Sequence, residues 1–361
     1  MKPLSFIIVG SGWRSSFFVR IAKRYPEQFT LKYMLCRTQE KADRIAAEHG
    51  IAATTNAETC EEVKPDFVVV AVNKASLYEE TRKWVLKGFP VLCETPAGCT
   101  VEELIGLWEL VQRGAKIQIA EQYHRYPIMA AGLKAIAEGR LAEPYAVTLS
   151  LAHDYHGISL IRRMLQPENP LNLKLKGMSG AKYSLPVTET DSRYGAIIDG
   201  SVKMRERSVV TLRFHHDKVA FYDFSGVQYH SFIRARHVNV QGRDGEWNDT
   251  LIRYVDEKHL PKVQEVTAWL DPAYACLETE ELKAQSHEWT AGIVMDNVQD
   301  EYAIATMMYD MREYIACGKE VYPMAEALED AYLYLLMQKA VEQPGSQIIP
   351  ERMPWQMDEK Q

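Results

Sequence analysis

The sequence lacks the features that mark several classes of protein. No apolar run approaches the ~20 residues that a membrane span needs, so we expect no membrane contact. The six cysteines are scattered without a Cys-x-x-Cys pair, which argues against a disulfide framework or a zinc site. Lys and Arg (42) do not outnumber Asp and Glu (49), and the net charge is −7. We therefore expect no nucleic-acid partner.

The composition is that of an ordinary globular protein. The chain has 361 residues, 47% hydrophobic and 25% charged, a length that favours two domains over one. Met1-Lys2-Pro3 leads directly into an apolar run, which leaves no room for a signal peptide. We expect a cytoplasmic protein with reduced thiols.

A glycine turn near the N-terminus is the most informative motif. The apolar run Phe6 to Val9 is followed at once by Gly10-Ser11-Gly12 and a helical pattern. The first glycine permits a tight turn, the second lets a pyrophosphate approach the backbone, and the helix N-terminus attracts the anion. Ser15 stands where the dinucleotide fingerprint has a third glycine. The alternative is an ordinary strand–helix turn.

The first 120 residues alternate between strand and helix patterns. The run from Phe67 to Val72 is apolar throughout, as in a strand covered on both faces. Such alternation predicts an α/β fold, here a doubly wound parallel sheet (a Rossmann domain) over residues 1–122. Strands are predicted over 4–9, 30–36, 66–72, 90–93 and 116–120, and helices over 14–25, 39–49, 76–87 and 100–113.

Residues 123–361 are predicted to form a second, α+β domain with a mostly antiparallel sheet. Apolar residues alternate, and glycines punctuate the pattern, between about 195 and 270. Residues 166–190 hold three prolines and no clear helix. Helices are predicted over 126–138, 157–165, 288–316 and 324–341, a strand over 145–151, and a surface tail from Gln343 onward.

Four motifs, in order and spacing, resemble the Gfo/Idh/MocA family of dinucleotide-dependent oxidoreductases, which includes glucose–fructose oxidoreductase and inositol dehydrogenase. They are Gly10-Ser11-Gly12, Val91-Leu92-Cys93-Glu94-Thr95-Pro96, Gln122-Tyr123-His124-Arg125-Tyr126-Pro127 and Tyr322-Pro323-Met324-Ala325-Glu326-Ala327. The resemblance implies a C-terminal open sheet that carries the substrate and makes a homodimer or homotetramer. It also implies a sugar, cyclitol or related polyol as substrate.

The chain departs from the family pattern at two places. The family usually has Glu-Lys-Pro after the fifth strand, and its lysine assists hydride transfer, whereas this chain has Thr95. The family also places Asp-x-x-x-His at a helix start, with another aspartate three residues after the histidine. Aligned on His156, those aspartates fall on Ala152 and Ser159. Asp154 could take over one of their roles from a shifted position.

His156 is the predicted proton acceptor, because histidine titrates near the working pH of such a step. Thr95 is predicted as a hydroxyl relay and Asp154 as an orienting or charge-balancing group. Capping or packing at the domain seam is the alternative role for His156. A metal held by His153, Asp154 and His156 is disfavoured because no further ligand cluster completes the set. Tyr123, Arg125, Tyr155 and His156 are the predicted substrate contacts.

The end of the second strand bears on the choice of cofactor. NAD enzymes usually have an acidic residue there to bind the ribose 2′-hydroxyl. This chain has Arg37 and Thr38, which would bind a 2′-phosphate, so we favour NADP over NAD. Stacking of Arg37 on adenine is the alternative. The predicted cofactor-binding residues are Gly10, Ser11, Gly12, Trp13, Arg14, Arg37, Thr38, Ala71, Val72, Asn73, Glu94, Thr95 and Gln122.

Three functions are compatible with these residues. The first is an NAD(P)-dependent oxidoreductase that acts on a CH–OH group. The second is a glycosidase or lyase on the same fold in which the cofactor is oxidised and reduced within each turnover. The third is a nucleotide-binding sensor without catalysis, which the missing lysine and aspartates motivate.

Overall fold

The computed structural model describes residues 2–192, 195–270, 275–278, 297–320 and 322–356. Its first sheet has six parallel strands in the order β3-β2-β1-β4-β5-β6, which confirms the predicted doubly wound domain. The strands are β1 Leu4–Val9, β2 Phe29–Leu35, β3 Ala53–Thr54, β4 Phe67–Val70, β5 Val91–Cys93 and β6 Ile117–Ile119. The helices are α1 Ser15–Arg24, α2 Gln39–His49, α3 Ala57–Glu62, α4 Leu77–Leu86 and α5 Val101–Gln112.

The apolar pattern explains why this sheet forms. Every residue of β1 and β4 is buried, and the two strands pair in parallel at the centre of the sheet. Helices cover both faces, so continuous apolar runs are more stable here than alternating ones. The two-residue strand β3 and the short helix α3 were not predicted, because neither has a long periodic pattern.

The second sheet has eight strands in the order β16-β15-β14-β13-β7-β12-β11-β8. All its pairs are antiparallel except β12 with β7, so the predicted mixed but mostly antiparallel sheet is confirmed. Its strands are β7 Ala146–Ser150, β8 Leu175–Thr188, β11 Val202–Phe214, β12 Val219–Phe224, β13 His237–Gln241, β14 Gly245–Asn248, β15 Leu251–Val255 and β16 Pro261–Glu265; β9 Asp191–Ser192 and β10 Gly195–Ala196 pair separately.

Two helices precede and follow β7, namely α6 Pro127–Ala137 and α7 Asp154–Leu165. Helix α7 begins three residues earlier than the predicted 157, which places His156 in its first turn. The long strand β8 lies within residues 166–190, where we found no clear helix; its glycines and Pro186 obscure the strand pattern. Pairing with β11 along thirteen positions stabilises it instead.

The remaining helices are α8 Asn297–Cys317 and α9 Met324–Glu342. Helix α8 packs against the first domain: the Tyr314 hydroxyl bonds both the N–H and the carbonyl of Ile117 in β6, at 2.9 and 3.1 Å. This part of the second predicted domain therefore returns to the first sheet, and the boundary at residue 122 stays a prediction. The predicted segment 288–296 lies outside the described residues.

The C-terminal tail from residue 343 to 356 is mostly exposed, in agreement with the predicted surface segment, but the side chains of Ile348, Met353 and Trp355 are buried. Trp355 is 2% exposed and donates its indole N–H to Glu329 of α9 at 2.9 Å. Ile348 forms an antiparallel bridge with Met178 of β8. Among the described residues, no helix is long and apolar enough to cross a membrane.

Candidate functional site

The glycine turn lies at the carboxyl ends of the central strands. Gly10 has φ +113°, and a Cβ there would lie 2.2 Å from the carbonyl oxygen of Ala71. A Cβ on Gly12 would meet nothing within 4 Å. Gly10 is thus required by the backbone itself, whereas the space beside Gly12 is open. An open approach to bare main chain at a helix start fits a pyrophosphate.

A cavity of about 820 Å³ opens at this turn. Its volume lies within the range of small-molecule and cofactor sites. Ten of the thirteen predicted cofactor residues line this cavity: Gly10, Ser11, Gly12, Trp13, Arg14, Arg37, Thr38, Ala71, Val72 and Asn73. Lys41 is among the other residues that line it. These residues fit a dinucleotide, and they would hold it with its pyrophosphate at the glycine turn.

Ser15 takes the place of the third glycine without opening the structure. Its side chain is 1% exposed, and its hydroxyl lies 3.4 Å from the carbonyl oxygen of Ala71. A small side chain that bonds the end of β4 keeps helix α1 close to the strand. The departure from the fingerprint is therefore accommodated at this position.

Arg14 joins the turn to the rest of the site. Its Nε bonds Glu94 at the end of β5 at 2.8 Å, and its Nη1 bonds Asp300 of α8 at 3.0 Å. Asp300 also accepts a hydrogen bond from Gln122 at 3.2 Å. Burial disfavours the charged guanidinium and by itself would lower the pKa of Arg14. The charges of Glu94 and Asp300 outweigh this effect, so the pKa of Arg14 is raised. Glu94 and Gln122, predicted at the cofactor, are thus linked to the cavity through Arg14.

The edge of the cavity at α2 is basic. Thr38 caps the helix by accepting a hydrogen bond from the Lys41 backbone at 3.3 Å, and Arg37 beside it is exposed. Lys41 lines the same cavity. A helix N-terminus with two nearby cations is a favourable place for an anion.

A buried histidine–carboxylate pair lies where the two sheets meet. His156 Nδ1 is 2.5 Å from Glu121 Oε2, and their side chains are 7% and 0% exposed. The second oxygen of Glu121 accepts the Tyr123 N–H at 3.0 Å. Burial raises the pKa of Glu121 to about 8, while burial and the charge of Arg14 lower the pKa of His156 to about 3.

Aromatic groups surround the pair. The rings of Tyr123 and His156 lie 4.3 Å apart between centroids, and the rings of His153 and His156 lie 4.8 Å apart. Tyr229 hydrogen bonds both His153 Nδ1 at 2.5 Å and the Tyr123 hydroxyl at 3.2 Å. Burial and the neighbouring His156 lower the pKa of His153 to about 3. Neutral imidazoles are therefore favoured in this pocket at neutral pH.

The hydrogen-bond partner of the His156 ring is Glu121, and the predicted role of Asp154 stays a prediction. Asp154 begins α7 with φ +45°, and its carboxylate accepts a hydrogen bond from Gln338 of α9 at 3.3 Å. Thr95 lies two residues after the end of β5, is partly exposed, and precedes a cis bond to Pro96. Its relay role stays a prediction.

Two of the predicted substrate-contacting residues, Arg125 and Tyr155, form hydrogen bonds with helical or neighbouring side chains away from His156. Arg125 donates to Asp310 of α8 at 2.6 Å and to Thr306 at 3.1 Å. The Tyr155 hydroxyl lies 2.5 Å from that of Tyr322, next to α9. Both side chains hold helices together, whereas Tyr123 lies against His156 itself. In the described part of the chain, no cluster of three metal-ligating side chains occurs.

Sequence reasoning missed Glu121, Tyr229 and Asp300. Glu121 directly precedes the Gln122 motif, so its position at the end of a strand was the available signal. Tyr229 and Asp300 offered none, because their contacts join segments 76 and 286 residues apart.

The parallel sheet, the glycine turn and the cavity define a Rossmann-type dinucleotide-binding domain. Residues 4–122 match the Gfo/Idh/MocA model, described as the oxidoreductase family with an NAD-binding Rossmann fold. The match covers the N-terminal domain, and it confirms the resemblance seen in the sequence and the predicted class of oxidoreductase. None of the curated proteins compared with the chain matches its sequence significantly.

Solved structures extend the likeness to the whole chain. Levoglucosan dehydrogenase in complex with NADH and levoglucosan is 15% identical with TM-score 0.70, covering 97% of this chain and 100% of that one. The WlbA dehydrogenase from Bordetella pertussis, in complex with NADH and UDP-GlcNAcA, is 13% identical with TM-score 0.68, covering 98% and 99%. An oxidoreductase from Agrobacterium radiobacter with NAD+, L-tartaric acid and magnesium is 11% identical with TM-score 0.68, covering 96% and 98%. At these identities the likeness establishes the fold.

Alanine substitutions at the two glycines of the turn should have different effects, one on stability and the other on dinucleotide binding. Gly10→Ala forces a Cβ into the Ala71 carbonyl and should lower the free energy of unfolding by about 2–4 kcal/mol. Gly12→Ala should leave that free energy within about 0.5 kcal/mol but weaken dinucleotide binding at least ~10-fold, since the methyl group enters the phosphate approach. Urea unfolding and calorimetric titration with NADH and NADPH measure the two effects. Unchanged affinity in Gly12→Ala would contradict the placement of the pyrophosphate.

Proposed function

We propose that this protein is an NAD(P)-dependent oxidoreductase that acts on a CH–OH group of a sugar, cyclitol or related polyol. The pair formed by His156 and Glu121 is the observation that carries the proposal. It provides a fixed proton acceptor, and the hydrogen bonds from Arg14 through Asp300 to Gln122 connect it to the dinucleotide cavity. The sugar-type ligands of the structural neighbours levoglucosan dehydrogenase and WlbA support the substrate class.

The residues divide the chemistry between them. When bound, the nicotinamide supplies the group that accepts or donates hydride. His156 takes up the hydroxyl proton of the alcohol, or returns it to the carbonyl in the reverse direction. Because Nδ1 is bonded to Glu121, Nε2 is the ring nitrogen that remains for the substrate. Thr95, at the end of β5, is the proposed relay to solvent.

Replacing His156 tests the assignment. His156→Ala should lower kcat by roughly 10²–10⁴-fold, the usual contribution of a general acid–base group, while NADH affinity changes less than ~2-fold. Steady-state rates on a panel of hexoses, inositols and open-chain polyols, with either cofactor, provide the measurement. His215→Ala, on an exposed turn, is the matched control.

Two results would contradict the proposal. If His156→Ala keeps its rate within a few-fold, His156 is not the acid–base group. If the wild-type protein binds cofactor but turns over no compound of the panel, the sensor alternative is favoured over an enzyme.

We propose NADP as the preferred form of the cofactor. Arg37 and Lys41 place two cations at the α2 edge of the cavity, where the 2′-phosphate of NADP would bind. The alternative role of Arg37, stacking on adenine, predicts equal affinity for both cofactors.

An arginine variant separates these roles. Arg37→Ala should weaken NADPH binding about 10-fold, as loss of one charge-assisted hydrogen bond would, and NADH binding less than ~2-fold. Titration calorimetry measures both constants, and Arg113→Ala, an exposed arginine on the far end of α5, is the control. Equal weakening of both cofactors would show that Arg37 does not discriminate between them.

We also propose a homodimer or homotetramer in which a second copy of the chain covers the arm formed by β8 and β11. Along this arm, residues 182–188 pair with 202–208, and apolar side chains such as Tyr183 and Met204 are 52% and 59% exposed. A two-stranded arm is marginally stable without a surface to pack on. An apolar arm of this kind is therefore best stabilised by a partner.

A charge on the arm tests the assembly. Met204→Asp should shift the molar mass measured by light scattering toward the monomer at micromolar concentration, since it would bury an unpaired carboxylate. Leu86→Asp, equally exposed on α4, is the control and should leave the mass unchanged. A monomeric wild-type protein would refute the proposal.

A further inference from the structure

The geometry points to Glu121 as the positioning residue of the site: we infer that it shares a proton with His156 and fixes the imidazole with Nε2 toward the substrate. This inference rests on the proposed function for its catalytic meaning. Glu121 follows the end of β6 and is 0% exposed. Its two oxygens are both engaged, one with His156 Nδ1 at 2.5 Å and one with the Tyr123 N–H at 3.0 Å.

The hydrogen bond to Tyr123 explains why the carboxyl group has one orientation. A backbone N–H fixes Oε1, so Oε2 is directed at the imidazole. The Tyr123 ring then packs against His156, which limits rotation of the imidazole. Two residues only two positions apart, Glu121 and Tyr123, thus bond the histidine ring and pack against its face.

Two protonation states of the pair follow from this geometry. With one proton, Nδ1–H donates to the Glu121 carboxylate and Nε2 carries a free lone pair. When the substrate O–H bond breaks, an Nε2–H bond forms, and the imidazolium is neutralised by the adjacent carboxylate. With two protons, the pair instead returns a proton from Nε2 to a carbonyl oxygen. The same pair therefore serves oxidation and reduction in different protonation states.

The direction in which the reaction rates change with pH follows from these two protonation states. Groups this close titrate as one unit. Because burial raises the pKa of Glu121 to about 8, the pair holds two protons below that pH and one above it. Alcohol oxidation, which needs the free Nε2, should speed up as the pH rises through about 8. Carbonyl reduction should slow down over the same interval.

The surrounding charges have partners of their own. Arg14 pairs with Asp300, Arg163 with Glu326, and Arg162 with Asp330. The groups that face Glu121 or His156 from the elements packed against them are Arg14, Lys74, His153, Tyr155, Arg163, Asp300, Tyr322 and Asp330. Of the histidines in the described part of the chain, His156 is the one whose ring bonds a fully buried carboxylate.

The decisive measurement needs neither cofactor nor substrate. In protein labelled with ¹⁵N-histidine, the His156 ring signals, assigned with His156→Ala, should report an Nδ1–H tautomer above pH 8 and a change centred near pH 8. Glu121→Gln cannot release this proton, so the change should disappear. Glu329→Gln removes another buried carboxylate, one that bonds Trp355, and should retain it.

Kinetics supply the second readout. Glu121→Gln should lower kcat by roughly 10²-fold with KM within ~3-fold, and flatten the pH profile near 8. Glu121→Asp keeps a carboxylate and should recover part of the rate together with the pH step. A structural role alone would lower the amount of folded protein and leave the profile of the remainder unchanged.

The outcomes distinguish this inference from the proposed function. A wild-type His156 signal with no change between pH 6 and pH 10, or an unaltered change in Glu121→Gln, overturns the inference even if sugars are oxidised. A change that depends on Glu121, in a protein that turns over no polyol, upholds the pair and refutes the enzyme. The wild-type titration alone is decisive if the Gln variant fails to fold.

Discussion

One buried guanidinium connects the two ends of the site. Arg14 lies just after the glycine turn, yet its side chain bonds Glu94, which follows β5 two strands away in the sheet, and Asp300 on a helix from the far end of the chain. An unpaired charge at this depth would cost several kcal/mol, so the arginine and its carboxylates hold one another in place. The shape of the turn is therefore tied to the position of α8.

From Arg14 the constraint continues to the histidine. Asp300 also bonds Gln122, and the next residue back along the chain, Glu121, bonds His156. Four consecutive hydrogen-bonded or covalent steps thus lead from Arg14, beside the glycine turn, to the histidine proposed as proton acceptor. Helix α8 contributes to both ends, since it also packs on β6 through Tyr314. A cofactor bound at the turn and a substrate at His156 would contact one continuous, rigid network.

The sequence is informative where structure is locally encoded. The strands β1 and β4 could be predicted because every residue except Ser5 is apolar, and the turn because its glycines directly follow β1. Strand β8 could not, since glycines and Pro186 interrupt its pattern and its stability comes from β11. The pair of Glu121 and His156 spans 35 residues, so no local motif reveals it. Ten of the predicted cofactor residues line one cavity, but the partner of the predicted base was not predicted.

The structure shows what surrounds His156 in the absence of the two aspartates that the family has near its histidine. Ala152 and Ser159, which stand where the family has carboxylates, are both 0% exposed. A carboxylate at either place would need a partner to offset its burial. Here the carboxylate comes from β6 instead, and it reaches the imidazole directly. Burial lowers the pKa of His156, and the charges of Arg14 and Lys74 lower it further, so positive charge acts on the histidine although Thr95 supplies none. The histidine proposed as base thus has a carboxylate and positive charge nearby, although each of these groups comes from a different element.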